Sequence, residues 1–176
     1  MNNTKNKINR LTQLSLFLAM GIILNLIESM IPLPIAIPGV KLGLANTIGL
    51  VLLYYYSEKE YVLIGFARVL FVGLLRTGIF SMTFMISLAG WFLSSLIVVI
   101  FYKLKSLSIY GLSVISAIFH GVGQIVVVMI YYNTTGIVLY LPILMITGII
   151  TGLLTSGVTA LILSKVNSHI KHIVRD

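Results

Sequence analysis

The chain has 176 residues, of which 59% are hydrophobic and only 9% are charged. Soluble domains average about 25% charged residues, so this composition excludes a water-soluble globular fold and predicts that lipid covers most of the surface. The net charge of +8 lies mostly in short tails and loops, a distribution that membrane topology explains better than nucleic-acid binding. Because no polar stretch is long enough for a second domain, we expect residues 1–176 to form one all-α transmembrane domain.

Apolar runs along the chain predict the membrane spans. Two weaker runs, 42–56 and 61–75, are separated by the charged turn at 57–60. We expect about six spans, with tails at 1–10 and 165–176. A re-entrant hairpin formed by the weaker pair, leaving four spans and the same ends, is the alternative. Four runs clearly reach the roughly 20 residues that a spanning helix needs, namely 11–31, 82–102, 109–132 and 137–163.

Basic residues predict the orientation of these spans. With six spans, only Lys41 and Arg76 fall on one side, and Arg68 falls inside a span. Cytoplasmic loops carry the excess of lysine and arginine, so we expect both termini in the cytoplasm and a multi-pass protein of the cell membrane. The other side collects Lys5, Lys7, Arg10, Lys59, Lys103, Lys105, Lys165, Lys171 and Arg175.

The connection after the first run, residues 32–41, is apolar but holds three of the four prolines. Proline disfavours helix, so this segment is predicted to be extended. Non-helical backbone at membrane depth must be shielded by protein or line a cavity. The segment is therefore either a cap over an outward-facing pocket or a stiff linker on the outer interface.

Several polar side chains fall in or near the predicted outer halves of the spans. His120 and Gln124 are four residues apart and share one helix face. Glu28 alone cannot neutralise three cations, so excess positive charge remains for an anionic ligand such as a carboxylate or phosphate. For each single residue, pairing with a neighbouring helix is the alternative. The predicted ligand-binding set is Arg68, Arg76, Lys41, Glu28, Asn46, His120 and Gln124.

Small residues recur every four positions in the last run. Such a ridge lets helix backbones approach closely, either within the bundle or against another membrane subunit. The first run has a weaker version in Ser15 and Ala19. The ridge comprises Gly148, Gly152, Ser156 and Ala160, continued by Ser164.

Catalytic chemistry has little support in the sequence. The chain has no cysteine, and its only aspartate is the C-terminal Asp176. With one aspartate it cannot form an aspartate-rich magnesium site or an internal Ser-His-Asp set. We also find no carboxylate pair and no phosphate-binding glycine loop with lysine in the sequence. We expect no enzyme activity, no metal and no cofactor.

Two motifs carry a family resemblance: ESMIPLP at 28–34 and PGVKLGLAN at 38–46. They resemble the membrane family labelled Gx transporter or heptaprenyl diphosphate synthase component I, and the resemblance continues to Leu141-Pro142. One departure is Gly121, where the family tends to have asparagine between His120 and Gln124. That family is similar to the substrate-binding S components of energy-coupling-factor (ECF) transporters, which are six-helix proteins.

The resemblance implies that this chain binds the ligand and that partner proteins supply the energy for transport. It implies an S-component-like subunit that captures a small anionic nutrient or cofactor precursor, with a transmembrane coupling subunit and two ATPases as partners. In that case small residues of the first helix would contact the coupling subunit. The alternative is a non-catalytic accessory subunit of isoprenoid or quinone biosynthesis, or of a flavin- or quinone-linked electron-transfer system.

Overall fold

The computed structural model describes residues 2–30 and 43–173, with side chains described over 4–30 and 43–165. The predicted proline-rich connection and Lys41 lie outside these residues. The described part contains six α-helices and two short helical turns, and no strand. The helices are α1 (Asn2–Met30), α2 (Leu44–Tyr55), α3 (Glu58–Val72), α4 (Met82–Lys103), α5 (Ile109–Tyr132) and α6 (Leu141–Ile173), with a π turn at Gly73–Thr77 and a 3₁₀ turn at Gly136–Tyr140.

Four segments are long and apolar enough to cross a membrane, which confirms the four long runs. They are Thr4–Met30, Met82–Lys103, Ile109–Tyr132 and Gly136–Lys165. The described part is thus all-helical and belongs to a multi-pass membrane protein, and the exposed apolar faces of its helices are suited to contact with lipid. Helix α2 has 12 residues and is only about 18 Å long, less than the roughly 30 Å hydrocarbon core. The count of six spans therefore stays a prediction.

Serine side chains start three of the helices. Ser57, Ser81 and Ser108 each accept a hydrogen bond from a backbone N–H in the first turn of α3, α4 and α5. This is the usual role of serine at an N-cap, where the first N–H groups have no partner within the helix. These caps determine the residue at which each of the three helices begins.

Helices α2, α3, α4, α5 and α6 form a ring, and α1 packs outside it against α2 and α3. The small-residue ridge of α6 lies against α5. A Cβ placed on Gly152 would lie 2.8 Å from Val114 Cα, and the Ser113 and Thr155 hydroxyls are 2.8 Å apart. Gly148, Gly152 and Ser156 are buried and Ala160 partly buried, so the ridge packs inside the bundle. By contrast, Ser15 and Ala19 on α1 are exposed in this chain.

Polar contacts collect at one end of the bundle, which we call the basic end. Arg10 of α1 pairs with Glu60 at the start of α3. Lys103 at the end of α4 pairs with Glu58 at 3.5 Å. These pairs place the α2–α3 turn level with the end of α4, one of the four long apolar helices. The predicted cytoplasmic cations of these segments thus share one end.

Candidate functional site

A cavity of about 150 Å³ opens between the helices. Its polar lining comes from the C-terminal half of α1, the start of α2, the length of the α3 segment, the first two-thirds of α4, the middle of α5 and the first half of α6. Six of the seven predicted ligand-binding residues line it, and the seventh, Lys41, lies outside the described residues. The six are Glu28, Asn46, Arg68, Arg76, His120 and Gln124.

Arg68 enters the cavity from the middle of the α3 segment. Its Nη1 donates a hydrogen bond to the backbone carbonyl of Ala45 at 2.5 Å, and within the described ranges its buried Nε has no hydrogen-bond partner. The arginine stem passes close to Gly21 of α1, where an added Cβ would lie 3.4 Å from Arg68 Cδ. The Nη1 hydrogen bond therefore holds the guanidinium against α2, while the Nε–H is left to donate a further hydrogen bond.

Glu28 connects the end of α1 to the start of α2. Its Oε1 accepts a hydrogen bond from the backbone N–H of Gly43, and the side chain is 6% exposed. Gly43 has φ 80°, in the left-handed region that glycine adopts without a steric penalty. Glu28 thus has a structural contact at the edge of the cavity.

Helix α5 contributes three polar side chains to the opposite wall. Ser116 accepts a hydrogen bond from Asn46 Nδ2 at 3.2 Å, and Gln124 is buried at 5% exposure. His120 packs on Gly90 of α4, where a Cβ would lie 2.8 Å from the imidazole Cε1. The glycine is what allows the imidazole to fit between α4 and α5.

Arg76 lies in the π turn that ends α3. This turn has the backbone hydrogen bond from Gly78 N to Gly73 O, at 2.8 Å, and π turns are frequent at functional sites. Arg76 is exposed and lines the cavity at its rim. The two predicted arginines thus occupy different depths, Arg68 within the wall and Arg76 at the edge.

The structure adds lining residues that the sequence reasoning missed. The clearest is Trp91 of α4, whose buried Nε1 finds no hydrogen-bond partner in the described part of the chain. Tyr61 and Ser116 also line the cavity. Aromatic and small hydroxyl residues are ordinary in apolar helices, so no local signal marked them. The one available signal was that Trp91 is the only tryptophan of the chain.

The described lining carries more positive than negative charge, with Arg68 and Arg76 against Glu28. Arginine and the tryptophan indole only donate hydrogen bonds, while the one lining carboxylate, Glu28, already accepts from Gly43. Within the described ranges no cluster of three or more His, Cys, Asp or Glu side chains suits a metal ion. The arrangement is suited to binding a compact ligand rich in acceptor oxygens.

A comparison with protein families gives one finding. The family model described as "Heptaprenyl diphosphate synthase component I" matches residues 17–162, which include every described residue of the predicted ligand-binding set. No curated protein and no solved structure matches the chain.

Proposed function

This chain belongs to the heptaprenyl diphosphate synthase component I family, and from that premise and its cavity we propose that it is a non-catalytic membrane subunit that binds a small anionic ligand between its helices. We orient the basic end toward the cytoplasm, as the excess of lysine and arginine there requires. The cavity then opens toward the outer face of the cell membrane.

The observation that carries this proposal is the environment of Arg68. A charged side chain at the centre of a membrane helix costs about 2.5–3.5 kcal/mol on insertion scales and normally faces a partner or a cavity. Arg68 lines the cavity, and no group of residues 4–30 or 43–165 forms a hydrogen bond with its buried Nε. An anion bound there would add to the negative charge of Glu28, which interacts with this guanidinium, and would complete the guanidinium's hydrogen bonds.

The cavity volume limits the ligand. An apolar cavity of about 150 Å³ accommodates a single six-carbon ring, and this cavity has the same volume. A heptaprenyl chain, with seven isoprene units, is several times bulkier than that ring. Only the headgroup of such a lipid would fit, whereas a compact carboxylate or phosphate compound would fit entirely.

Size and polarity therefore favour uptake of a small nutrient or cofactor precursor. The chain carries no nucleotide-binding motif, so we assign the energy for transport to partners, namely a transmembrane coupling subunit and two ATPases. The small residues Ser15 and Ala19, exposed on α1, are the proposed contacts for the coupling subunit.

The family description supports a second candidate. In it, the chain is an accessory membrane subunit of isoprenoid or quinone biosynthesis, and the cavity holds a diphosphate headgroup while the tail lies among lipids. Both candidates place an anionic group beside Arg68, so the first experiment tests that shared feature.

The experiment is calorimetric titration of the purified protein in mild detergent with inorganic phosphate, inorganic diphosphate and benzoate. We expect at least one of these anions to bind, and Arg68→Gln to weaken that binding by tenfold or more. Lys59→Gln removes the same charge at the exposed basic end and serves as the matched control, which should bind as the unaltered protein does. Equal binding by Arg68→Gln and the control would contradict the proposal.

A further inference from the structure

Two residues of the cavity lining each carry a buried N–H group that has no hydrogen-bond partner among the described residues: Arg68 through Nε and Trp91 through Nε1. Neither atom can act as an acceptor. A buried donor left unpaired costs about 1–3 kcal/mol, and buried polar groups in folded proteins are nearly all paired. A pair of unsatisfied donors in one small cavity therefore indicates that something with acceptor atoms belongs there.

The position of the Trp91 indole depends on a glycine of the neighbouring helix. A Cβ placed on Gly65 would lie 2.5 Å from Trp91 Nε1, closer than any side chain tolerates. Phe66 packs on the indole with ring centroids 5.3 Å apart and planes tilted by 40°. Glycine at position 65 thus allows the indole N–H to approach α3 directly.

Gly65 also relates the indole to the arginine. Residues three apart on a helix are neighbours on the same face, so Gly65 and Arg68 present the same side of α3 to the cavity. The indole N–H lies next to Gly65, less than one helical turn along α3 from the Arg68 backbone, and the Arg68 side chain extends from there toward Ala45 of α2. Both residues line the same cavity.

We infer that Trp91 selects the ligand: its indole N–H binds a second acceptor group of the same compact anion whose first acceptor group binds Arg68. The ligand class is a small molecule with two separate groups of acceptor oxygens, such as a diphosphate or a dicarboxylate. This inference rests on the proposed anion-binding function and adds a specificity-determining residue to it.

Paired probes test the inference. Inorganic diphosphate has two acceptor groups and inorganic phosphate has one; isophthalate and benzoate form the same pair on a ring. We expect the unaltered protein to prefer the two-group probe of a pair. In Trp91→Phe, which keeps an aromatic ring and removes the N–H, affinity for the two-group probe should fall about tenfold, the equivalent of one lost hydrogen bond, while affinity for the one-group probe changes less than twofold.

Two further variants keep the test independent of folding defects. Gly65→Ala forces the indole away from α3 and should reproduce the loss of preference while retaining the tryptophan. Because Trp91 is the only tryptophan, tryptophan fluorescence reports on the cavity in both Gly65→Ala and the unaltered protein. Phe92→Leu alters the adjacent aromatic residue, which is 60% exposed, and should leave both affinities unchanged.

The outcomes separate the two proposals. If a probe binds and depends on Arg68 but Trp91→Phe leaves the preference within a pair intact, the Trp91 assignment is wrong and the anion site stands. If Trp91→Phe weakens both members of a pair equally, the residue is structural and the inference also fails. If no probe binds the unaltered protein, the proposed function itself fails and the inference with it.

Discussion

The guanidinium of Arg68 donates a hydrogen bond to the backbone carbonyl of Ala45, with 2.5 Å between Nη1 and O. This contact joins the α3 segment to the first turn of α2, so Arg68 has a structural contact in addition to its proposed ligand contact. Within the described part of the chain, the side chain of Arg76, exposed at the rim, makes no such hydrogen bond. Substitutions at the two arginines can therefore distinguish an effect on stability from an effect on ligand binding.

Arg68→Gln and Arg76→Gln should both weaken anion binding but differ in stability. We expect Arg68→Gln to lower the free energy of unfolding by about 1–2 kcal/mol, because a hydrogen bond from a charged donor is lost. Arg76→Gln should change it by less than about 0.5 kcal/mol, as is usual for exposed positions. Denaturant unfolding in detergent measures this difference, and an equal loss in both variants would refute the structural role of the Ala45 contact.

Glu28 should stabilise the start of α2 mainly by accepting the hydrogen bond from the Gly43 N–H, and less through its negative charge. Glu28→Gln keeps an acceptor oxygen for the Gly43 N–H and should retain most of the stability. Glu28→Ala leaves that N–H without the acceptor and should cost about 1–3 kcal/mol. Thermal unfolding of the two variants makes the comparison; equal destabilisation would mean that the carboxylate charge, not the hydrogen bond, is what α2 requires.

Two glycines on α6 should respond in opposite directions to an added methyl group. Gly152→Ala places a Cβ 2.8 Å from Val114 Cα, and such overpacking costs about 1–3 kcal/mol. Gly157 has nothing within 4 Å of an added Cβ, so Gly157→Ala should stabilise the helix by about 0.5–1 kcal/mol. Unfolding midpoints report both, and a stable Gly152→Ala variant would show that α5 and α6 are not in this close contact.

Stability should depend on pH through Glu60 at the basic end. The hydrogen bond from the Ser57 hydroxyl, with a smaller contribution from the Arg10 guanidinium, holds the pKa of Glu60 below its usual value of 4.5. The unfolded chain then takes up the proton first, so this contribution is present above about pH 4.5 and is lost as pH falls below that value. Glu60→Gln should show a smaller acid-dependent loss of unfolding midpoint than the unaltered protein. An identical loss would mean that another group controls it.

Membrane sidedness can be measured because the chain has no cysteine. Single cysteines at Lys59 and Thr134, both exposed, occupy the α2–α3 turn and the α5–α6 connection. With six spans, an impermeant thiol reagent should label Lys59→Cys only from the cytoplasmic side and Thr134→Cys only from outside. Protection of Lys59→Cys from both sides would support the re-entrant hairpin.

The sequence predicted the long helices well and the short ones poorly. The run 109–132 coincides with α5, since an uninterrupted apolar stretch with a serine cap leaves few alternatives. For α2 the 15-residue run became a 12-residue helix, because the left-handed conformation of Gly43 places the helix start at Leu44. The first helix starts nine residues before its predicted span, since polar residues outside the membrane also support helix.

The candidate site was predictable only where charge marked it. Arg68 and Gln124 stand out in apolar helices because lipid makes polar groups costly. Trp91 and Gly65 did not, because their roles arise from contact between α3 and α4. The α6 ridge was ambiguous for the same reason: its spacing indicates close packing, and only the tertiary structure shows that α5 is the neighbour.

The most direct test of the anion site is mass spectrometry of the small molecules that co-purify with the protein in mild detergent, alongside Arg68→Gln and the Lys59→Gln control. We predict a compact anionic metabolite bound to the unaltered protein and to the control, and absent from Arg68→Gln. An anion retained equally by all three, or a neutral ligand in the cavity, would contradict the account.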